Sequence, residues 1–248
     1  MERLHVATLN IRNMADRWFE RLPLLLSDMA TLQPDLLGLQ EVVYVMKQDR
    51  LIGAAGEGHY GAVRAWAGRP EYGNSLMVRE PLVARDSDRL DLGLERSALR
   101  AVVELPAGGK VLVVVTHLHH LTPDEAPRDE QTASILAWLR DAPTADATII
   151  MGDFNADPAE PAPTRMRDAG FASAYETANG QEPPVTWPSG LQAPAMDIDG
   201  PPECLDYIWV RGALRVQSAR LCFDRPDGLD RTIYPSDHLG ISAHLEIG

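Results

Sequence analysis

Asp153 and Asn155 stand two residues apart in Gly152-Asp153-Phe154-Asn155, directly after the uncharged apolar run Ala147-Thr148-Ile149-Ile150-Met151. An acid just past a buried strand can orient a water or bind a cation. An amide beside it can hold the same water or a phosphate oxygen. Open α/β sheets gather their ligands outside the carboxyl ends of strands. Gly, Asp and Asn also favour turns, so the tetrapeptide alone fits a turn as well as an active site. Other apolar runs carry polar groups in the same place: Asn10, Glu41, His117 with His119 and His120, and Ser236-Asp237-His238. Asp206 interrupts a run, Leu205 to Val210, that otherwise reads as buried. An unpaired buried acid is costly, so Asp206 needs a partner, and a histidine is the obvious candidate.

These residues need strands to aim them. Loose alternation predicts a strand over Leu4 to Ile11, and short apolar runs predict others at Leu36 to Glu41, Gly61 to Trp66, Ser75 to Val78 and Leu99 to Leu105. Pro106-Ala107-Gly108-Gly109 is a hairpin turn signal. Val111 to His117 is β-branched almost throughout and reads as buried on both faces. Leu205 to Val210, Leu214 to Cys222 and Leu239 to Ile247 close the chain as strands. Trp18, Leu22, Leu25, Leu26, Met29 and Leu32 recur at helical spacing, and Pro23 places that helix start near Glu20 to Leu22. Further helices are expected at Ala126 to Arg140 and within Pro158 to Gly170. The proline-rich stretch Gln181 to Glu203 has little periodicity, and long loops of this kind are usually functional or disordered. No tandem repeat or Gly/Ser linker divides the chain, so residues 1–248 read as one α/β sandwich domain.

The composition narrows the classes. The chain has 248 residues, 45% of them hydrophobic, enough for one large core. Its net charge is −13 and no basic run occurs, so the footprint of a high-affinity nucleic-acid binder is missing. An enzyme that touches a phosphodiester briefly remains compatible, since a bound cation can supply local positive charge. The acidic surface disfavours stable docking on anionic membranes. Cys204 and Cys222 form no CxxC pair, which argues against a thiolate zinc site. Neither a signal-peptide pattern nor an apolar run of membrane-spanning length is visible, and the expectation is a monomeric, cytoplasmic protein.

Thr8-Leu9-Asn10-Ile11-Arg12, Leu39-Gln40-Glu41, Thr116-His117-Leu118, Gly152-Asp153-Phe154-Asn155, Leu205-Asp206-Tyr207-Ile208 and Ser236-Asp237-His238 together resemble the ordered motifs of the endonuclease/exonuclease/phosphatase superfamily. Tyr72-Gly73-Asn74-Ser75 and the pair Arg128 and Gln131 are lesser marks of the same resemblance, which runs from Thr8 to His238. It implies a four-layered α/β/β/α sandwich, two mainly antiparallel sheets flanked by helices. It implies Glu41 as main metal ligand, with Asn10 and Asp237 nearby. A site with few carboxylates and room for water suits Mg²⁺, with Mn²⁺ as a plausible substitute. By the same resemblance Asp153 orients or deprotonates the attacking water, and Asn155 holds that water or a phosphate oxygen. His238, steadied by Asp206, hydrogen-bonds the phosphoryl group, and His117 stabilises charge or protonates the leaving oxygen. Arg12, Asn74 and Trp187 are the expected substrate contacts, although a core-anchoring role for Trp187 is nearly as good a reading. His119 and His120 are read as solvent or supporting groups. Asp197 and Asp199 are either a second cation site or a solvated loop.

The resulting expectation is a Mg²⁺-dependent hydrolase of phosphoesters, foremost phosphodiesters, with in-line attack by a water oriented by Asp153. A metal-dependent nuclease is the alternative, which the charge does not favour. The apurinic endonucleases of the family carry a tyrosine between the metal glutamate and the histidine strand, and the sequence offers no clear equivalent. From another class, a catalytically silent binding module would have no need for this set of acids and histidines.

Overall fold

In the computed structural model the described residues are 1–121, 124–193 and 200–248. The elements in chain order are β1 (Glu2–Asn10), α1 (Trp18–Leu32), β2 (Leu36–Val43), α2 (Gln48–Ala55), β3 (Tyr60–Ala67) and β4 (Arg69–Arg79). Then come β5 (Val83–Gly93), β6 (Arg96–Glu104), β7 (Lys110–His117), α3 (Glu125–Trp138), β8 (Ala147–Asp153) and α4 (Pro161–Asp168). The chain closes with β9 (Ala172–Ser173), α5 (Ala174–Asn179), β10 (Asp206–Gly212), β11 (Leu214–Cys222) and β12 (Gly240–Ile247). One six-stranded sheet has the order β11-β12-β1-β2-β4-β3 and the other β5-β6-β7-β8-β10-β9.

Side-chain alternation on the central strands builds the layers. Val113, Val115, Ile149 and Met151 enter the core between the sheets, where they meet Val6, Leu36 and Leu76 of the opposite sheet. Val114 and Ile150, one residue out of phase, face Ile135 of α3 and Met166 of α4. On the other side Leu37 and Leu39 pack against Trp18, Leu25 and Met29 of α1 and Ile52 of α2. Helices, sheet, sheet, helices is the expected four-layered sandwich. β7 is buried on both faces, as its β-branched run requires, and each such side chain contributes roughly 1.5–3 kcal/mol.

Each sheet has a parallel pair at its centre, β1 with β2 and β7 with β8, and antiparallel neighbours outside it. Parallel strands end on the same side. The ends of β1, β2, β7 and β8 therefore bring Asn10, Glu41, His117 and Asp153 to one rim. β10 runs against β8 and starts at that rim, with Asp206 opposite Asp153. β12 runs against β1 and starts there too, just after His238.

Several details differ from the sequence expectation, which contained neither α2 nor β9 nor α5. α1 begins at Trp18, so Pro23 lies inside the helix rather than in its first turn. Pro23 has no N–H for the carbonyl of Phe19, and Phe19 is 78% exposed, so water can serve that carbonyl instead. β5 is absent from the sequence reading because it is a charged edge strand with little apolar alternation. Among the described residues no helix is long and apolar enough to cross a membrane.

Arg21 of α1 is fully buried and joins the loop after β1 to the segment before β12. Its guanidinium donates to the carbonyls of Asp16 (2.7 Å), Ile11 (3.0 Å), Ala15 (2.7 Å), Arg12 (3.2 Å) and Pro235 (2.9 Å). Burial pulls its pKa down to about 10, which leaves it charged at neutral pH. Arg21→Met should cost about 3 kcal/mol or more, because several carbonyls lose their donor inside the fold. Urea unfolding measures it, and a loss under about 1 kcal/mol would contradict the assignment.

Candidate active site

Gly152 sets the geometry. Its φ is +141°, and a Cβ there would lie 2.0 Å from the carbonyl oxygen of Thr116 on the neighbouring strand. Only glycine fits. Asp153 follows with its side chain buried. Its Oδ1 accepts the backbone N–H of Asn155 at 2.8 Å, a turn within the motif. Its Oδ2 accepts from Asn10 Nδ2 at 3.0 Å, across the sandwich, and faces His117 Nε2 at 3.5 Å and His238 Nε2 at 3.7 Å. The turn and the cluster are the same object. Asn155 has φ +49° and donates Nδ2 to the carbonyl of Leu118 at 3.1 Å.

Asp206 has the histidine partner that its burial demanded. His238 Nδ1 donates to Asp206 Oδ2 at 2.8 Å. Thr186 Oγ1 accepts the backbone N–H groups of Leu205 and Asp206 at 2.9 and 3.1 Å, tying the proline-rich segment to the start of β10. Burial disfavours charge on His238, but Asp206, Asp153 and Asp237 outweigh it and push its pKa up to about 10. Burial pushes the Asp153 carboxyl up to about 7, with His238 opposing and Asp206 adding to the rise. Burial, then Arg96 and His238, drives His117 well below the ordinary imidazole range. At neutral pH His117 can donate a hydrogen bond but carries no positive charge.

Glu41 is aimed by a distortion of its strand. The β2–β4 register shifts between Leu39 and Val42, and Glu41 sits at φ +61°. Such bulges and strained residues re-aim side chains at functional sites. Glu41 accepts from Asn13 Nδ2 at 2.6 Å and Asn10 Nδ2 at 3.3 Å. Asn10 thus turns its amide nitrogen towards the acids, while its Oδ1 accepts the N–H of Arg12 at 3.0 Å. Asp237 lies 3.6 Å from Arg12 Nη1, and Arg12 Nε holds Asp16 at 2.7 Å. Ser236 Oγ donates to the carbonyl of Asn10 at 2.6 Å, locking the Asp237 segment to β1. Glu41 and Asp237 offer hard oxygen donors, the kind that hold a divalent cation retaining part of its water. Asp153, Asp206 and His238 form a second, buried group that could hold a metal, with ligand atoms within 4.8 Å of one another.

These groups open into a cleft of about 650 Å³. Asn10, Arg12, Glu41, His117, Asp153, Asn155, Trp187, Asp237 and His238 line it, and Asp206 stands behind His238. Asn74 does not line the cleft. It is buried and donates Nδ2 to the carbonyl of Ser97 at 2.8 Å, a tie between the two sheets rather than a substrate contact. The cleft also contains Asn13, Tyr72 and Arg96, which the sequence reading left unassigned. Tyr72 lies between Glu41 and His117 in the chain, so a cleft tyrosine exists after all; its signal was the Tyr72-Gly73-Asn74-Ser75 motif. Asn13 extends the polar run after β1, whereas nothing around Arg96 marked it. Arg128 and Gln131 support the histidine loop: Arg128 binds Glu160 at 2.6 Å and the carbonyl of Leu121 at 3.0 Å, and Gln131 Oε1 accepts the N–H of His119 at 2.8 Å. His119 Nε2 lies 3.4 Å from Asp124. Asp197 and Asp199 fall outside the described residues. A second depression of about 510 Å³, lined by Asp28, Arg220, Cys222 and Arg225 among others, shares no residue with this site.

Comparison with known proteins agrees with this fold. Human Nocturnin is 31% identical over 257 residues, covering 91% of this chain and 57% of its own length, so the chain spans less than two thirds of that relative. The structure of the human Nocturnin catalytic domain with a bound sulfate anion superposes with a TM-score of 0.79 at 25% identity, covering 99% of this chain and 95% of the other. D. rerio TDP2, solved with a single-strand DNA product, has a TM-score of 0.77 at 22% identity, covering 99% of this chain and 100% of the other, a likeness of fold. The model of the Endonuclease/Exonuclease/phosphatase family matches residues 7–238, and this chain belongs to that family.

Proposed function

We propose that this protein is a Mg²⁺-dependent hydrolase of phosphodiesters, with Asp153 orienting and deprotonating the attacking water. One observation carries the reading. Asp153 Oδ2 is shared by Asn10 from one sheet and faces His117 and His238, at 3.0, 3.5 and 3.7 Å. A carboxylate held at about 7 is poised to take a proton near neutral pH. A protonated His238, steadied by Asp206, is a fixed donor for a phosphoryl oxygen. His117 adds a neutral N–H, suited to hydrogen-bond an oxygen as charge develops. Asn155 holds the water or a phosphate oxygen, and Arg12 and Trp187 flank the substrate.

Glu41, with Asp237 and Asn10, would hold the Mg²⁺, with Mn²⁺ as substitute; Asn10 would need to turn its Oδ1 inward. When bound, the cation supplies Lewis acidity at a phosphoryl oxygen. A binding module would have no use for a buried acid poised near neutrality, which favours an enzyme. A single catalytic domain, a monomeric state and a cytoplasmic location belong to the same proposal.

The test is hydrolysis of bis-(p-nitrophenyl) phosphate with Mg²⁺ or Mn²⁺, followed by nucleic-acid and small phosphoester panels. Asp153→Asn should lower kcat by roughly 10²–10⁴. Calorimetric heat of Mg²⁺ binding should vanish in Glu41→Ala. Absence of turnover, or turnover untouched by Asp153→Asn, would sink the proposal.

The two shifted groups also define a pH profile. Activity should rise as Asp153 deprotonates and fall as His238 loses its proton, with bound Mg²⁺ drawing both limbs downward. In Asp206→Asn, His238 loses its main charge partner and the alkaline limb should move down towards 6.5. The folded-state pKa of His238 lies above its ordinary 6.5, so its ion pair stabilises the fold fully below 6.5 and is lost as pH rises through about 10. Metal-free protein should therefore lose stability across that window, and His238→Gln should lose less. An unmoved alkaline limb in Asp206→Asn would refute the assigned role of the pair.

A further inference from the structure

Arg96 is placed where a catalytic cleft would recognise an anion, and among the described residues no acid pairs with it. It opens β6, opposite Gly93 and one residue before Ser97, which pairs with His117. Its Nε donates to the carbonyl of Leu118 at 2.9 Å. That oxygen also accepts Asn155 Nδ2 at 3.1 Å, so the guanidinium is fixed beside the Asp153–Asn155 turn. Its Nη2 lies 2.9 Å from His120 Nδ1. A guanidinium nitrogen can only donate, so Nδ1 accepts and the ring proton of neutral His120 sits on Nε2. Burial and Arg96 both lower the His120 pKa, consistent with that neutral tautomer.

The contrast with Arg12 is informative. Arg12, also in the cleft, is engaged by Asp16 and Asp237. Among the described residues no carboxylate makes an ion pair with Arg96. Only part of its fork is spent on Leu118 and His120. Tyr72 shares the cleft, and burial and Glu41 hold its phenol protonated, so it too can donate. In a chain of net charge −13, a cleft arginine that no acid pairs with among the described residues is suited to hold an incoming anion.

We infer that Arg96, with the His120 Nε2–H and the Tyr72 hydroxyl, forms a second anion subsite that selects phosphoesters carrying another phosphate beside the scissile one. The inference rests on the hydrolase reading and names its substrate class. Arg96 is here a specificity-determining residue, separate from the groups that act on the scissile phosphate.

A matched pair of substrates tests it: the p-nitrophenyl ester of thymidine 5′-phosphate, and the same ester carrying a 3′-phosphate. The measured quantity is the ratio of their kcat/KM values, which cancels any general change in activity. The wild type should favour the 3′-phosphorylated ester by about tenfold or more, and Arg96→Gln should bring the ratio close to one. Arg89→Gln removes the same charge from an arginine stacked on Trp66, outside the cleft, and should keep the preference. A wild-type ratio near one, a ratio that survives Arg96→Gln, or one that falls equally in Arg89→Gln would overturn the inference. Calorimetry with inorganic pyrophosphate and orthophosphate decides it without turnover. Pyrophosphate should bind more tightly than orthophosphate, with that advantage reduced about tenfold in Arg96→Gln. Equal binding by wild type and variant would reject the subsite even in an inactive protein, whereas failed hydrolysis with this binding intact would reject only the hydrolase reading.

Discussion

A carboxylate buried between two sheets needs partners from both of them, and Asp153 imposes that requirement here. It is 1% exposed, and its oxygens are served by Asn155 from its own turn, by Asn10 from the opposite sheet, and by the rings of His117 and His238. Left unpaired, such a charge would be costly. The two sheets must therefore meet in one relative position at this rim. The low dielectric that makes the charge expensive also raises the Asp153 pKa and strengthens every hydrogen bond around it. The cost of burial and the shifted proton affinity have one physical source.

The surrounding structure holds that arrangement by backbone capture. Arg21 gathers five carbonyls from the loop after β1 and from the segment before Asp237. Thr186 accepts two N–H groups at the start of β10, and Ser236 reaches the carbonyl of Asn10. Arg128 and Gln131 do the same for the histidine loop. None of these side chains lines the cleft. They fix irregular backbone, which has no sheet ladder of its own, so that the site is carried on loops as firmly as on strands.

Much of the candidate site was legible because its residues mark places where apolar runs end. Asn10, Glu41, His117 and Asp153 each follow or close a central strand, and the need of Asp206 for a histidine follows from burial cost alone. Local periodicity could not reveal β5, whose charged residues suit an edge, or the early start of α1, where solvent tolerates the hydrogen bond lost at Pro23. Arg96 gave no signal, because its place in the cleft depends on contacts with Leu118 and His120 that form only in the fold. Asn74 gave a misleading one: the motif was visible, but the amide turns inward to Ser97 and joins the sheets.

The sequence by itself determined the alternation that makes two buried sheets, the order of polar strand ends, and the chemistry those groups can perform. Only the tertiary structure decided which atoms meet. Hydrophobic patterning is a local property, repeated every two or 3.6 residues, and can be read along the chain. The contacts of Asp153 with Asn10, of Asp206 with His238 and of Arg21 with Pro235 join residues far apart in sequence. Their distances, and the pKa shifts that follow from burial and facing charges, exist only once the strands have paired and the sheets have packed.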